Sequence, residues 1–271
     1  MESAKLTELY ETAKSWVFEA GEVIKRSFSD ELNITYKSHA ADLVTDMDKG
    51  IEQFFIDKIK NKYPDHEILG EEGYGDKVKN LDGTVWIIDP IDGTTNFVHQ
   101  QLNFAISVGV FHDGEEKLAF IYDVVRNELF HCKAGEGLYL NEEKLPRLED
   151  TTLDKSVIGL NATWITPNPK IDHQLLLPLV RKSRGTRSYG TAAIELAYVA
   201  CGRLDAYVTL RLSPWDFAAG YILIKEAGGI ISDVNGNAVN VLDKTSIFAA
   251  KPSLHQEILG LISPGTSANG Q

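Results

Sequence analysis

Asp89 and Asp92 stand three residues apart at the end of the apolar run Trp86-Ile-Ile-Asp89, and Gly93-Thr-Thr-Asn96 follows at once. Asp and Pro are disfavoured inside strands, whereas Gly, Thr and Asn favour turns and helix starts. The segment from Trp86 to Phe97 therefore reads as a buried strand, then a carboxylate-bearing turn, then a helix N-terminus. Such a corner sets hard oxygen ligands beside backbone N–H groups that favour anions. A divalent cation and a phosphate group could share it.

Two more acids break an apolar pattern in the same way. Glu71 closes Glu67-Ile-Leu-Gly70, and Asp216 opens an apolar, small-residue segment in Ser213-Pro-Trp-Asp-Phe-Ala-Ala-Gly220. Taken singly, Asp216 reads as a first-turn helix acid and Glu71 as an exposed surface charge. Taken together the four acids mean more. Carboxylates held close together repel, and each is driven toward its neutral form unless a cation binds them. A donor set of oxygens, without His or Cys, suits Mg²⁺ or Mn²⁺ rather than zinc. Two such ions, roughly 3.5–4 Å apart, would suit phosphoryl transfer to water. Gly93-Thr94-Thr95 supplies the other half, since glycine lets backbone approach a ligand and a helix start presents free N–H groups. An ordinary helix cap is the bland alternative for that turn. The P-loop pattern is absent, which argues against nucleotide hydrolysis of that type.

The elements that must hold these residues follow from periodicity. Residues 5–28 and 46–62 carry apolar side chains at helical spacing, and Pro64-Asp65 ends the second helix. From 84 to 140 the pattern becomes short strands, at 84–89, 104–111, 117–124 and 128–132, with turns at His112-Asp-Gly114 and Arg126-Asn127. This block reads as an antiparallel sheet. Beyond 150, helices are expected at 172–183 (kinked at Pro178), 191–201, 216–227 and 253–262, and strands at 205–210, 229–233 and 246–250. The order predicts an α+β fold with two sheets and helices packed on both. It divides at 145–155 into an N-terminal half, 1–150, and a C-terminal half, 151–263. The residues 264–271 read as a disordered tail.

Composition sets limits on the partners. The chain has 271 residues, 27 basic and 39 acidic, for a net charge of −12. That balance argues against a general nucleic-acid binder but allows a phosphorylated substrate, because a metal can supply positive charge. The two cysteines, Cys132 and Cys201, form no C-x-x-C pair and read as reduced core thiols. Neither a membrane-length apolar run nor a signal-peptide layout is present, so a cytoplasmic protein with no membrane partner is expected.

The motifs resemble those of the inositol monophosphatase family of metal-dependent, lithium-sensitive sugar phosphatases. Gly70-Glu71-Glu72, the segment from Trp86 to Phe97, and Trp215-Asp-Phe-Ala-Ala-Gly220 carry the likeness. Asp42-Leu-Val-Thr45 with Asp48, Arg187-Ser-Tyr-Gly-Thr-Ala-Ala193 and Glu226-Ala-Gly-Gly229 support it. The resemblance implies a layered α-β-α-β-α sandwich of the sugar phosphatase type and a homodimer. It implies a first metal on Glu71, Asp89 and the Ile91 carbonyl, and a second on Asp89, Asp92 and Asp216. A third, weaker Mg²⁺ would lie near Glu71, giving two to three ions per site. Thr94 and Asp48 would polarise the attacking water. The backbone of Gly93, Thr94 and Thr95 would hold phosphate, while Gly190, Thr191 and Ala192 line the alcohol side.

The substrate implied is a small phosphomonoester such as inositol 1-phosphate. Animal members carry a ring-contacting glutamate seven residues before the Trp-Asp aspartate, where this chain has Thr209. That departure opens the alternatives of fructose 1,6-bisphosphate, NADP or histidinol phosphate, with Arg211 meeting a second anionic group. The basic run Arg181–Arg187 could serve likewise, or face solvent or a dimer partner. A haloacid-dehalogenase mechanism is disfavoured, because Pro90 and Ile91 separate the two acids where that class has one residue. A regulatory protein of the RNA machinery on the same fold is the alternative from outside enzymology.

Overall fold

The computed structural model describes residues 2–29, 34–36 and 43–262. Asp42 and the expected disordered tail, 264–271, lie outside the described residues.

The chain opens with α1 (Ser3–Arg26), β1 (Ile34–Tyr36), β2 (Leu43–Thr45) and α2 (Asp46–Lys62). β1 and β2 pair as a small antiparallel ribbon. A seven-stranded sheet follows, built from β3 (Glu67–Gly70), β4 (Thr84–Asp92), β5 (Ala105–His112), β6 (Glu115–Asp123), β7 (Glu128–Lys133), β8 (Leu138–Leu140) and β9 (Glu143–Lys144), in sequence order. The short helix α3 (Thr94–Gln100) sits between β4 and β5. The sheet is antiparallel from β4 onward, as expected for 84–140, and β3 joins its edge in parallel. The β5–β6 turn has Asp113 and Gly114 both at positive φ, as a two-residue hairpin requires.

The second sheet contains β10 (Val157–Leu160), β11 (Gly185–Arg187), β12 (Ala206–Leu212), β13 (Ile230–Ser232) and β14 (Thr245–Ala250), in the order β11-β10-β12-β14-β13. Its helices are α4 (Leu177–Lys182), α5 (Ala192–Ala200), α6 (Pro214–Ala227) and α7 (Pro252–Ile262). The single kinked helix expected at 172–183 is instead a 3-10 turn, His173–Leu176, followed by α4 with Pro178 in its first turn. Proline is well tolerated there because its missing N–H has no partner to lose.

Three cores separate the layers. Trp86 and Ile88 of β4 pack with α1 and α2 through Trp16, Val17, Ile51 and Phe55. Val85 and Ile87 of the same strand point the other way, onto α5 and α6. A strand covered on both faces reads as a continuous apolar run, which is why 84–88 shows no alternation. The same middle core takes Tyr207, Ile247 and Ala249 from the second sheet. The opposite face of that sheet, with Val208, Leu210 and Phe248, is covered by α4 and α7 through Leu179, Leu254 and Ile258. The layers therefore run helix, sheet, helix, sheet, helix, as expected.

The middle layer sits close to both of its neighbours. A Cβ on Gly109 of β5 would lie 3.1 Å from the Ala218 and Ala219 backbone, and one on Gly220 would lie 2.6 Å from Leu196 Cβ. Glycine at these two positions lets α6 rest against β5 on one side and α5 on the other.

Candidate metal centre and active site

The strand expected to end at Asp89 runs on to Asp92. Its ladder with β5 breaks register between Asp89 and Asp92, so Pro90 and Ile91 sit in an irregularity. Bulges of this kind accommodate proline and re-aim side chains. Here the irregularity turns Asp89 and Asp92 to one place. Asp216 joins them from the first turn of α6, and carboxylate oxygens of all three lie within 4.8 Å of one another.

Helix starts surround this cluster. Asp48, in the first turn of α2, accepts the Thr45 amide at 2.8 Å and the Thr94 hydroxyl at 3.0 Å. Thr94 opens α3, and its hydroxyl also lies 3.2 Å from the Ile91 carbonyl. Asp92 accepts the Thr191 hydroxyl and, at 2.6 Å, the Ala193 amide at the start of α5. Asp216 accepts the Ser213 amide at 2.7 Å. Each helix start directs partial positive charge toward the acids.

That charge does not offset burial. Burial and then repulsion from Glu71, Asp92 and Asp216 hold Asp89 well above the usual carboxylate range. Burial raises Asp92 to about 7, against the hydrogen bonds from Thr191 and Ala193. Burial, followed by the Asp92 charge, raises Asp216 to about 8. Glu71 lies within hydrogen-bonding reach of Asp89. Buried acids that repel one another and offer only oxygen are a fitting set for a hard divalent cation.

Beside the cluster lies a cavity of about 370 Å³. Asp92, Gly190, Thr191, Ala192, Thr209, Arg211 and Asp216 border it, so residues expected to line a substrate pocket do meet there. Gly93 approaches the same region: it holds φ +94°, and a Cβ on it would lie 3.1 Å from Thr191. The α3 N-terminus has no side-chain cap, which leaves the first-turn amides of Thr94 and Thr95 without a side-chain acceptor. The basic run Arg181–Arg187 does not border this cavity; it forms the end of α4 and the edge strand β11.

Several supporting residues were not expected from sequence. Buried Glu52 of α2 accepts the amides of Glu72 and Tyr74 at 2.7 and 2.8 Å, fixing the loop that carries Glu71. A Cβ on Gly70 would lie 2.5 Å from the Glu52 carboxylate, which explains the glycine before Glu71. Asn96 donates to the Asn103 and Tyr189 carbonyls, both at 2.7 Å, and so joins α3 to the segment before Gly190. Glu195 accepts the Tyr189 amide at 2.6 Å, and burial lifts its carboxyl to about 7. Trp164 borders the cavity and donates its indole N–H to Thr209 at 3.2 Å. Only Glu195 left a trace in the sequence, as one charge inside the apolar helix α5.

Comparison with known proteins bears on this arrangement directly. The model of the inositol monophosphatase family matches residues 5–266. The chain belongs to the inositol monophosphatase family. An inositol-1-monophosphatase of Bacillus subtilis is 54% identical over 93% of this chain and 95% of its own length. The fructose-1,6-bisphosphatase/inositol-1-monophosphatase of Thermotoga maritima is 36% identical, over 85% of this chain and 86% of its own. The crystal structure of inositol monophosphatase-II from Staphylococcus aureus superposes with a TM-score of 0.88 at 43% identity, covering 96% of this chain and 98% of that one. As an inositol monophosphatase family member the protein is a phosphoric monoester hydrolase of a metal-dependent group, acting on small phosphorylated substrates. Among the described residues no helix is long and apolar enough to cross a membrane.

Proposed function

We propose that the protein is a Mg²⁺-dependent phosphatase that hydrolyses a small phosphomonoester of the inositol 1-phosphate class by direct attack of water. The observation that carries this reading is the trio of buried Asp89 and Asp92 with half-buried Asp216, whose oxygens lie within 4.8 Å of one another. Glu71, Asp89 and the Ile91 carbonyl would hold one ion, and Asp89, Asp92 and Asp216 a second. A third would sit near Glu71, and Mn²⁺ would be an acceptable substitute. Bound there, the ions supply charge neutralisation, a more acidic water and stabilisation of the leaving oxygen.

The chain's own residues do the rest. The Asp48 carboxylate fixes the Thr94 hydroxyl by accepting its O–H hydrogen bond at 3.0 Å. The Thr94 oxygen then keeps a lone pair for a water molecule, which it orients for in-line attack. The amides of Gly93, Thr94 and Thr95 would receive phosphate oxygens, as helix starts do. Gly190, Thr191 and Ala192 would border the alcohol that leaves. Thr209 presents a neutral hydroxyl already engaged by Trp164, so ring recognition rests on shape and on Arg211 more than on a charged acceptor. Fructose 1,6-bisphosphate, NADP and histidinol phosphate remain candidate substrates on the same chemistry. A cytoplasmic, lithium-sensitive homodimer belongs to the same reading, on family resemblance.

The deciding measurement is phosphate release from inositol 1-phosphate with and without Mg²⁺. Turnover should require the metal and should vanish in Glu71→Gln. Metal-independent turnover, or full activity in that variant, would overturn the assignment.

A further inference from the structure

We propose that Arg211, Lys170 and Lys244 form a second-anion subsite beside the reaction pocket. It would select phosphomonoesters that carry a further phosphate or diphosphate group. This inference rests on the phosphatase reading above.

Arg211 borders two cavities. One is the 370 Å³ cavity that contains Asp92 and Asp216. The other, about 270 Å³, is bordered by Lys170, Arg211, Asn235, Lys244, Thr245 and Ser246, and by no acidic residue. The ladder between β12 and β14 slips register between Thr209 and Leu212. That irregularity presents Arg211, alone on its strand, as an exposed side chain at the boundary of the two spaces.

The charges around the second cavity are arranged for an anion. Lys170, Arg211 and Lys244 have no ion-pair partner among the described residues. The acids nearest in sequence are turned elsewhere. Asp233 receives Asn235 and Asn237 amides within its own turn, and Asp243 receives the Asn240 side chain. Ser246 accepts the Val234 amide at 3.1 Å, which leaves its hydroxyl proton to donate. In a chain of net charge −12, three cations and a hydroxyl donor around one cavity make a local reversal of sign. Arg211 borders both spaces, so the second cavity adjoins the one that holds Asp92 and Asp216. A guanidinium and two ammonium groups are suited to phosphate oxygens.

The test uses the Mg²⁺-loaded enzyme and two matched substrate pairs. Fructose 1,6-bisphosphate is compared with fructose 1-phosphate, and NADP with 2′-AMP. In the wild type the member with the additional phosphate should have a kcat/KM higher by roughly ten- to a hundredfold, through KM, as one or two charge-assisted hydrogen bonds provide. The pair that shows the gain tells a sugar bisphosphate from a dinucleotide. Lys170 and Lys244 are both exposed, so the double variant Lys170→Ala/Lys244→Ala should fold normally. It should bring the ratio close to one and leave the monophosphates within about twofold of wild type, since exposed charges away from the reacting atoms act weakly. Added salt should shrink the wild-type gain in the same direction. A ratio near one in the wild type for both pairs, or a gain that survives the double variant, would overturn the subsite. Hydrolysis of the monophosphates in that case leaves the phosphatase reading standing. Absence of turnover on all four esters removes the phosphatase reading and this inference with it.

Discussion

The Glu52 carboxylate accepts the Glu72 amide at 2.7 Å, so one turn of α2 beyond Asp48 fixes the loop on which Glu71 sits. Gly70→Ala would place a methyl carbon 2.5 Å from that carboxylate and push the two apart. The expected result is a Mg²⁺ requirement met only at higher concentration, with apparent metal affinity down roughly ten- to a hundredfold, as for lost support behind a metal ligand. Activity measured against Mg²⁺ concentration checks it. Near-normal kcat at saturating metal would separate this effect from loss of a ligand.

Asp216→Asn should act in opposite directions on function and stability. The amide oxygen can still accept the Ser213 N–H, but one charge leaves a cluster in which burial and Asp92 raise Asp216 to about 8. Turnover should fall by at least about a hundredfold, while the melting temperature in EDTA should equal or exceed that of the wild type, because asparagine has neither a charge to bury nor a proton to take up on folding. A lower melting temperature in EDTA would show that the carboxylate stabilises the metal-free fold.

Metal should matter more for stability as pH rises. Asp92 and Asp216, raised to about 7 and about 8, hold protons in the metal-free fold that the unfolded chain has already lost above about pH 4. Their contribution to metal-free stability is full below the unfolded pKa and is lost as pH climbs through the folded values. Melting temperature with EDTA should therefore fall from about pH 4 to about pH 8 and level off above that, whereas Mg²⁺ should hold it up by binding the ionised acids. The increment caused by Mg²⁺ should widen across that interval. A constant increment would contradict the assignment of these acids to the metal.

Asn96→Asp is expected to be worse than Asn96→Ala. Asn96 donates to two carbonyls, those of Asn103 and Tyr189, and a carboxylate would face both as an acceptor. Stability should drop by about 1–3 kcal/mol in either variant, with the aspartate at the upper end. Because the tie positions Gly190, KM should rise more than kcat falls. Urea unfolding and steady-state kinetics separate the two effects.

Much of this design was legible in the chain itself. Helical spacing of apolar residues gave α1 and α2, and the two-residue signal Asp113-Gly114 gave the β5–β6 turn. The corner at Asp89 and Asp92 was found, although its strand was ended too early. Strand propensity counts Asp-Pro as a stop, and the irregularity that carries the strand through depends on pairing with Ser107 and Ala105 of β5. The partners of Glu52, Asn96 and Glu195 stayed hidden for a different reason. Each side chain recognises backbone amides or carbonyls, which every sequence offers alike, and the partner is chosen only by the folded contact. Trp164 lies in a single 3-10 turn, Ala162–Ile165, too short to show a period.

The fit of α6 between β5 and α5, where Gly109 and Gly220 leave no room for a methyl group, has a consequence for how the protein tolerates change. Asp216 stands on α6, and Asp89 and Asp92 on the strand beside β5, so the spacing of the acids is transmitted by the seam between them. A map of intolerance to substitution should trace that dry seam as sharply as the pocket. Damaging variants would then include alanine at positions that never meet solvent, ion or ligand.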